Sequence, residues 1–180
     1  MTETASNQST EGREIVMTRL FDAPRELVWE VWTSPKHVAH WWGPRGYTIT
    51  TEEMNVRVGG TWRFMMLGPD GTNYPNLMTF HEVKAPEKLV YDHGSYEQPK
   101  QFHVTTTFTS EGTKTRIRHH LIFPTKEACE AVKAFGAVEL GQQSLDCFAD
   151  YIATIGGFSI SRTFNAPLDL VWRAWTEEER

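Results

Sequence analysis

Hydrophobic and polar positions alternate through seven stretches of this chain, and a period of two is the signature of a strand with one face buried. The first stretch, Glu14–Phe21, sets Ile15, Met17, Arg19 and Phe21 on one side and Val16, Thr18 and Leu20 on the other. The remaining six are Tyr47–Val56, Thr61–Leu67, Tyr74–Val83, Lys88–His93, Gln101–Thr109 and Thr113–Phe123. Gly59-Gly60, Gly68-Pro69-Asp70-Gly71, Ala85-Pro86-Glu87 and Ser110-Glu111-Gly112 punctuate them with residues that suit tight turns. The pattern predicts a seven-stranded, mostly antiparallel sheet.

Between the first and second strands the period becomes helical. Pro24 suits the start of a helix, Glu26 complements its dipole, and Leu27, Val28, Val31 and Trp32 follow at helical spacing. Ser34-Pro35 restarts the signal as a cap and a first-turn proline, which predicts a second short helix over Pro35–His40. After Pro124, Thr125 caps one long closing helix running to about Thr154, with Ala128, Val132, Phe135, Leu145, Phe148 and Ile152 as its apolar stripe. Gly136 and Gly141 interrupt that stripe, either through simple tolerance or a kink, or to leave room, letting the helix approach the sheet or leaving space beside it. A long sheet curls, and the closing helix is there to fill the curl. The expected fold is α+β: a curved sheet gripping a long C-terminal helix, with the two early helices plugging one end.

One block is repeated. Arg19–Thr33, RLFDAPRELVWEVWT, returns without gaps as Arg162–Thr176, RTFNAPLDLVWRAWT. Such a repeat sets the unit of folding. The expected organisation is a disordered polar tail over residues 1–12, one complete domain over 13–154, and the start of a second copy over 155–180.

Composition removes several function classes. Seven Trp and ten Phe are a heavy aromatic load, and each buried ring removes about 150–250 Å² from water. The formal charge is −5 and no long basic block occurs, so nucleic acid is not an expected partner. No apolar run has membrane-spanning length and no signal peptide opens the chain, so no membrane association is expected. Cys129 and Cys147, about 27 Å apart along one continuous helix, are expected to be free thiols, as in a reducing cytoplasm. There is no nucleophile elbow, phosphate loop or dinucleotide fingerprint, and no cofactor is expected. The seven histidines show no metal-ligand spacing: His37 and His40 share a short helix face, and His119 and His120 point to opposite sides of a strand. No metal site is expected.

The segments FDAPRELVWEVWTSPKHVAHWWGP, VGGTWRF, GPDGTNYP and TFHEVKAPEKLVYDH, with the closing helix, resemble the heat-shock-protein-90 ATPase activator homologues. These belong to the START-like superfamily, also called SRPBCC or Bet v 1-like. The resemblance covers about Glu14–Thr154, and the tail from Gly157 resembles the opening of a second domain. It implies a helix-grip fold with a cavity between sheet and helix. Members bind hydrophobic small molecules, act as cyclases or related enzymes, or assist a chaperone, and no single catalytic set is shared among them.

The alternating strands supply the candidate lining. Trp62, Phe64, Met78, Tyr91 and Phe102, with Phe148 from the closing helix, are the expected walls of a site for a small hydrophobic or aromatic ligand, and His119 is its expected polar anchor. His119 alternates with Ile117 and Leu121, so it faces inward, and Tyr91 and His93 share a face of their strand. An inward His and Tyr either orient a ligand or exchange a proton, which makes His119 and Tyr91 the candidates for a cyclase- or hydrolase-type enzyme. Trp41 and Trp42 before Gly43-Pro44 are a plug or part of a gate. A chaperone partner and a homo-oligomer are the protein-binding alternatives. If the tail segment exchanges between chains, the full chain is larger in solution than one ending at Thr154; equal monomeric masses rule exchange out.

Overall fold

Pro24 divides the first strand from the first helix, and the rest of the architecture follows from where that turn sends the chain. The computed structural model describes residues 10–155, with 166, 167 and 170. The elements are β1 (Glu14–Phe21), α1 (Arg25–Thr33), α2 (Pro35–Val38), β2 (Thr48–Met54), β3 (Thr61–Leu67), β4 (Asn73–Lys84), β5 (Lys88–Gly94), β6 (Phe102–Glu111), β7 (Lys114–Ile122), α3 (Lys126–Ala134) and α4 (Ala137–Ile155). The strands form one sheet in the order β1-β7-β6-β5-β4-β3-β2. Every pairing is antiparallel, and β1 returns to β7 with Met17 opposite His119.

The alternation in the sequence becomes the two faces of this sheet. In β1, Ile15, Met17 and Phe21 are buried, while Val16 and Leu20 on the other side are exposed. Trp62 and Phe64, Met78 and Phe80, Leu89 and Tyr91, Val104 and Phe108, and Ile117 continue the buried face across the sheet. The helices lie against it. Phe148 of α4 is fully buried, with ring centroids 4.8 Å from Phe21, 5.2 Å from Trp32 and 4.6 Å from Trp41. Trp32 of α1 also meets Phe108 at 5.7 Å and Trp41 at 4.8 Å. Edge-on rings at such distances add about 0.5–1.5 kcal/mol per pair beyond area burial. The Trp41 indole donates to the Val31 carbonyl at 3.1 Å, closing the α1–α2 corner.

The closing helix differs from its expected form. Thr125 does cap it, accepting from the Ala128 amide at 3.1 Å, but the helix is two pieces, broken at Phe135-Gly136. Gly136 has φ +91, a left-handed conformation that glycine adopts without the steric cost of a Cβ. Gly141 is the close approach: a Cβ there would stand 2.6 Å from the Met17 sulfur. The two interruptions therefore do different things, one breaking the helix and the other seating it on β1. Because of the break, Cys129 and Cys147 lie on separate helices, and both thiols are free.

The end of the polar tail is described from Thr10 onward. Arg13 donates its amide to the Thr10 carbonyl at 3.0 Å, and the Thr10 hydroxyl donates to Glu14 at 3.2 Å, so Thr10–Gly12 turn into β1. The expectations for residues 1–9 and for a second copy of the repeated block lie outside the described residues, apart from Ala166, Pro167 and Leu170. Among the described residues, no helix is long and apolar enough to cross a membrane.

Removing the ring that joins α4, the α1–α2 corner and the sheet leaves a large void. Phe148→Ala is expected to cost about 3–5 kcal/mol of unfolding free energy, read from denaturant curves. A loss below about 1 kcal/mol would mean that the helix is held by something other than this cluster.

Candidate functional site

Where α4 passes the concave face of the sheet, the side chains leave a cavity of about 190 Å³. The sheet contributes Met17 from β1, Met66 from β3, Tyr91 and His93 from β5, Phe102 from β6, and His119 and Leu121 from β7. Ala137, Gly141, Ser144 and Leu145 of α4 form the opposite wall. Trp32 and the turn Trp41–Pro44 close one end. Small residues at 137, 141 and 144 keep this side of the helix low, so the space exists because α4 presents almost no side chain there. A second, more open space of about 310 Å³ shares Pro44, Met66, His93, Ala137, Gly141 and Ser144 with the first. It adds Tyr47, Tyr74, Asn76, Phe135 and Leu140. The exposed Phe135, at the helix break, stands at this outer vestibule.

Two histidines face the inner chamber. The His93 Nε2 lies 3.0 Å from the Asn76 amide oxygen, and the Asn76 amide nitrogen donates to the Tyr74 carbonyl at 2.8 Å. That second bond fixes the amide's orientation, so Nε2 carries the proton and donates to Asn76, leaving Nδ1 as an acceptor. The His119 Nδ1 lies 2.8 Å from the hydroxyl of Thr106, which is fully buried. A hydroxyl both donates and accepts, so the His119 Nε2 presents a donor or an acceptor according to the tautomer that Thr106 partners.

The electrostatics follow from burial. Loss of water pulls His93 down to about 3, helped by neighbouring His119. It pulls His119 down to about 4, helped by His120. Burial pushes the Tyr91 phenol upward, with the Thr106 bond acting the other way. All three groups are uncharged near neutral pH. Among the described residues the lining holds no carboxylate, lysine, arginine or thiol, so the chamber is apolar with a few neutral hydrogen-bonding points.

Of the residues expected to form the walls, the structure brings Tyr91, Phe102 and His119 together on this chamber. Trp62 and Met78, which pair across β3 and β4, border a separate gap of about 10 Å³ beneath Trp32 and Trp42. Phe64 and Phe148 are fully buried outside the chamber wall. The cause is the turn after α2. Trp42 lies edge-on over Trp62 at 4.7 Å and 6.3 Å from Phe64, covering that end of the sheet. The turn is therefore plug and wall at once. Alternation places Met66 on the face of Trp62 and Phe64 and His93 on that of Tyr91, whereas the small residues of α4 are lining that strand alternation does not reach.

Other histidines are engaged elsewhere. His37 is buried with its Nδ1 2.8 Å from the Tyr151 hydroxyl, and the His40 ring stacks on Tyr151 at 5.1 Å. His120 points away from the chamber and meets Glu14 at 2.6 Å.

A curved antiparallel sheet closed by a C-terminal helix, with a chamber between them, defines a START-like helix-grip domain. Residues 22–153 match the family described as Activator of Hsp90 ATPase homolog 1-like protein, and the chain belongs to that family. Solved structures agree. Protein Ms6760 from Mycobacterium smegmatis is 21% identical at TM-score 0.75, the match covering 82% of this chain and 95% of that one. A protein from Arthrobacter aurescens is 24% identical at TM-score 0.75, covering 82% of this chain and 90% of the other. An AHSA1-like protein from Aeromonas hydrophila is 22% identical at TM-score 0.66, covering 83% and 99%. These likenesses describe the fold. No curated protein matches the sequence.

The neutral histidines make stability depend on pH with a definite sign. Their folded pKa values lie below the ordinary 6.5, so the unfolded chain takes up protons first as pH falls. Stability is expected to drop from about pH 6.5 downward, by about 2 kcal/mol per ring at about pH 5. His119→Gln should flatten that slope by about half in denaturant curves at a series of pH values. A wild-type stability constant between pH 7 and 5 would show that these rings are solvated in the fold.

Proposed function

We propose that this protein binds one small, mainly apolar and uncharged molecule in the chamber between sheet and α4. The observation that carries this reading is the chamber itself: about 190 Å³ of space walled by aromatic and methionine side chains, with two neutral imidazoles reaching it. An apolar cavity of about 150 Å³ is enough to take a benzene-sized guest. The adjoining vestibule, about 310 Å³, gives room for a substituent reaching toward Tyr74 and Phe135. Methionines at 17 and 66 fit irregular guests because their side chains repack easily. His93 and His119 supply one or two hydrogen bonds to a hydroxyl, carbonyl or ring nitrogen, and the Thr106 hydroxyl holds the His119 ring.

The family description includes an activator of a chaperone ATPase, which supports a chaperone partner as the second reading. An enzyme would have to run on His119 and Tyr91, and the bond between His119 and Thr106 supports proton exchange rather than nucleophilic attack. Two free thiols suit the cytoplasm as the compartment.

Titration with a panel of small aromatic and alicyclic compounds is expected to change the fluorescence of Trp41 and Trp42 and to shift the His93 and His119 imidazole resonances. Ala137→Phe, which places a ring in both spaces, is expected to weaken any such binding at least tenfold without unfolding the protein. Ligand-independent spectra across the panel would remove the binding reading. Chemical conversion of a bound compound would favour the enzyme, and retention on an Hsp90-class chaperone with no small-molecule response would favour the chaperone partner.

A further inference from the structure

The convex face of the sheet, away from the chamber, carries a second group of chemically capable side chains. Asp92 lies between Tyr91 and His93 in β5, so its side chain points to the opposite face. It is nonetheless buried, because three donors cover it. The His103 Nδ1 reaches Oδ1 at 2.8 Å, the His81 Nε2 reaches Oδ2 at 2.9 Å, and the Lys100 ammonium reaches Oδ2 at 3.2 Å. Burial works against the charge on Asp92, and the bonds from His103, His81 and Lys100 outweigh it, so the carboxyl is held below its usual range.

The backbone builds this group deliberately. His103 is the direct cross-strand partner of Asp92 on β6. On the other side, Thr79 is the partner of Asp92 on β4, and the β4–β5 register shifts between Phe80 and Glu82. His81 is the extra residue of that bulge. His81 is two residues on from Thr79 and so shares the face of Asp92, and at the bulge its imidazole reaches the same carboxylate. The His81 and His103 rings stack with centroids 6.0 Å apart and 26° between their planes. One ligand atom from each of His81, Asp92 and His103 lies within 4.8 Å of the other two.

We propose that His81, Asp92 and His103 form a surface site for a divalent transition-metal ion of the zinc class. Two imidazole nitrogens and one carboxylate oxygen are the donor set such ions prefer over magnesium or calcium. Bonds of about 2.0–2.2 Å place tetrahedral ligand atoms on the order of 3.3 Å apart. The His–Asp distances of 2.8 and 2.9 Å have to open slightly, and the imidazole nitrogens need only ring rotations to close on one ion. Both rings are part-exposed and have that freedom, at 46% for His81 and 36% for His103. Lys100 is the resident cation in the absence of metal. It is 69% exposed and swings away into solvent, and water completes the coordination. The bound ion would tie β4, β5 and β6 together on the face opposite the chamber.

The test uses the full chain stripped with a chelator and titrated calorimetrically with zinc chloride. One-to-one binding is expected, weakened at least tenfold in His81→Ala and in His103→Ala and tightened in Lys100→Met. Cobalt(II) in place of zinc should give the visible absorption of a four-coordinate site, lost in the His81→Ala/His103→Ala double variant. This readout does not depend on stability. Zinc should raise the melting temperature of the wild type but not of the double variant. Equal zinc affinity in wild type and double variant would overturn the proposal, since the ion would then be held by other histidines. So would the absence of any zinc binding by the wild type, which would leave the group as a hydrogen-bonded cover for Asp92.

Discussion

The distance between α4 and the sheet is fixed by one aromatic cluster, and every other feature of the interior depends on it. Phe148 is wedged among Phe21, Trp32 and Trp41, while Trp32 leans on Phe108. Rings of this size hold the helix off the strands at its C-terminal half. At the N-terminal half, Gly141 seats the same helix directly on Met17, where the residues facing the strands are small. The chamber lies at that seated half, where Ala137, Gly141 and Ser144 leave space beside the contact with Met17. Packing therefore fills one half of the interior and leaves the other open.

Charged side chains then fix the helix laterally. Arg19 of β1 binds Asp146, and Arg45 of the turn after α2 binds Asp150 at 2.8 Å. Exposed pairs of this kind add little stability. Their effect is geometric: they engage two carboxylates one helical turn apart with the two elements that border the chamber. Apolar burial supplies the stability of the grip, and these pairs register it.

The architecture was readable from the chain because each part has a local cause. Strand alternation, Pro24, Ser34-Pro35 and Thr125 lead directly to the sheet, the paired helices and the closing helix. The helix break was only half visible, since Gly136 and Gly141 look alike in sequence and diverge in the fold by φ and by neighbour. Strand parity gives the face of a side chain but not what covers it. Tyr91, Phe102, His119, Trp62, Phe64 and Met78 are equivalent by parity, and the packing of Trp42 across one end of the sheet decides which of them border open space. Long-range register limits the convex face in the same way. His81, Asp92 and His103 sit on three strands, and no spacing along the chain brings them together without the register of β4, β5 and β6.

The neutral state of His93 and His119 has a consequence for how a guest would arrive. A wall without formal charge adds no field of its own, so an uncharged guest would be neither steered nor repelled, and its capture rate would be indifferent to ionic strength. Selection among molecules then rests on shape and on the loss of water at the moment of entry. A guest bearing a full charge would be turned away by the energetic cost of leaving solvent rather than by any opposing charge inside.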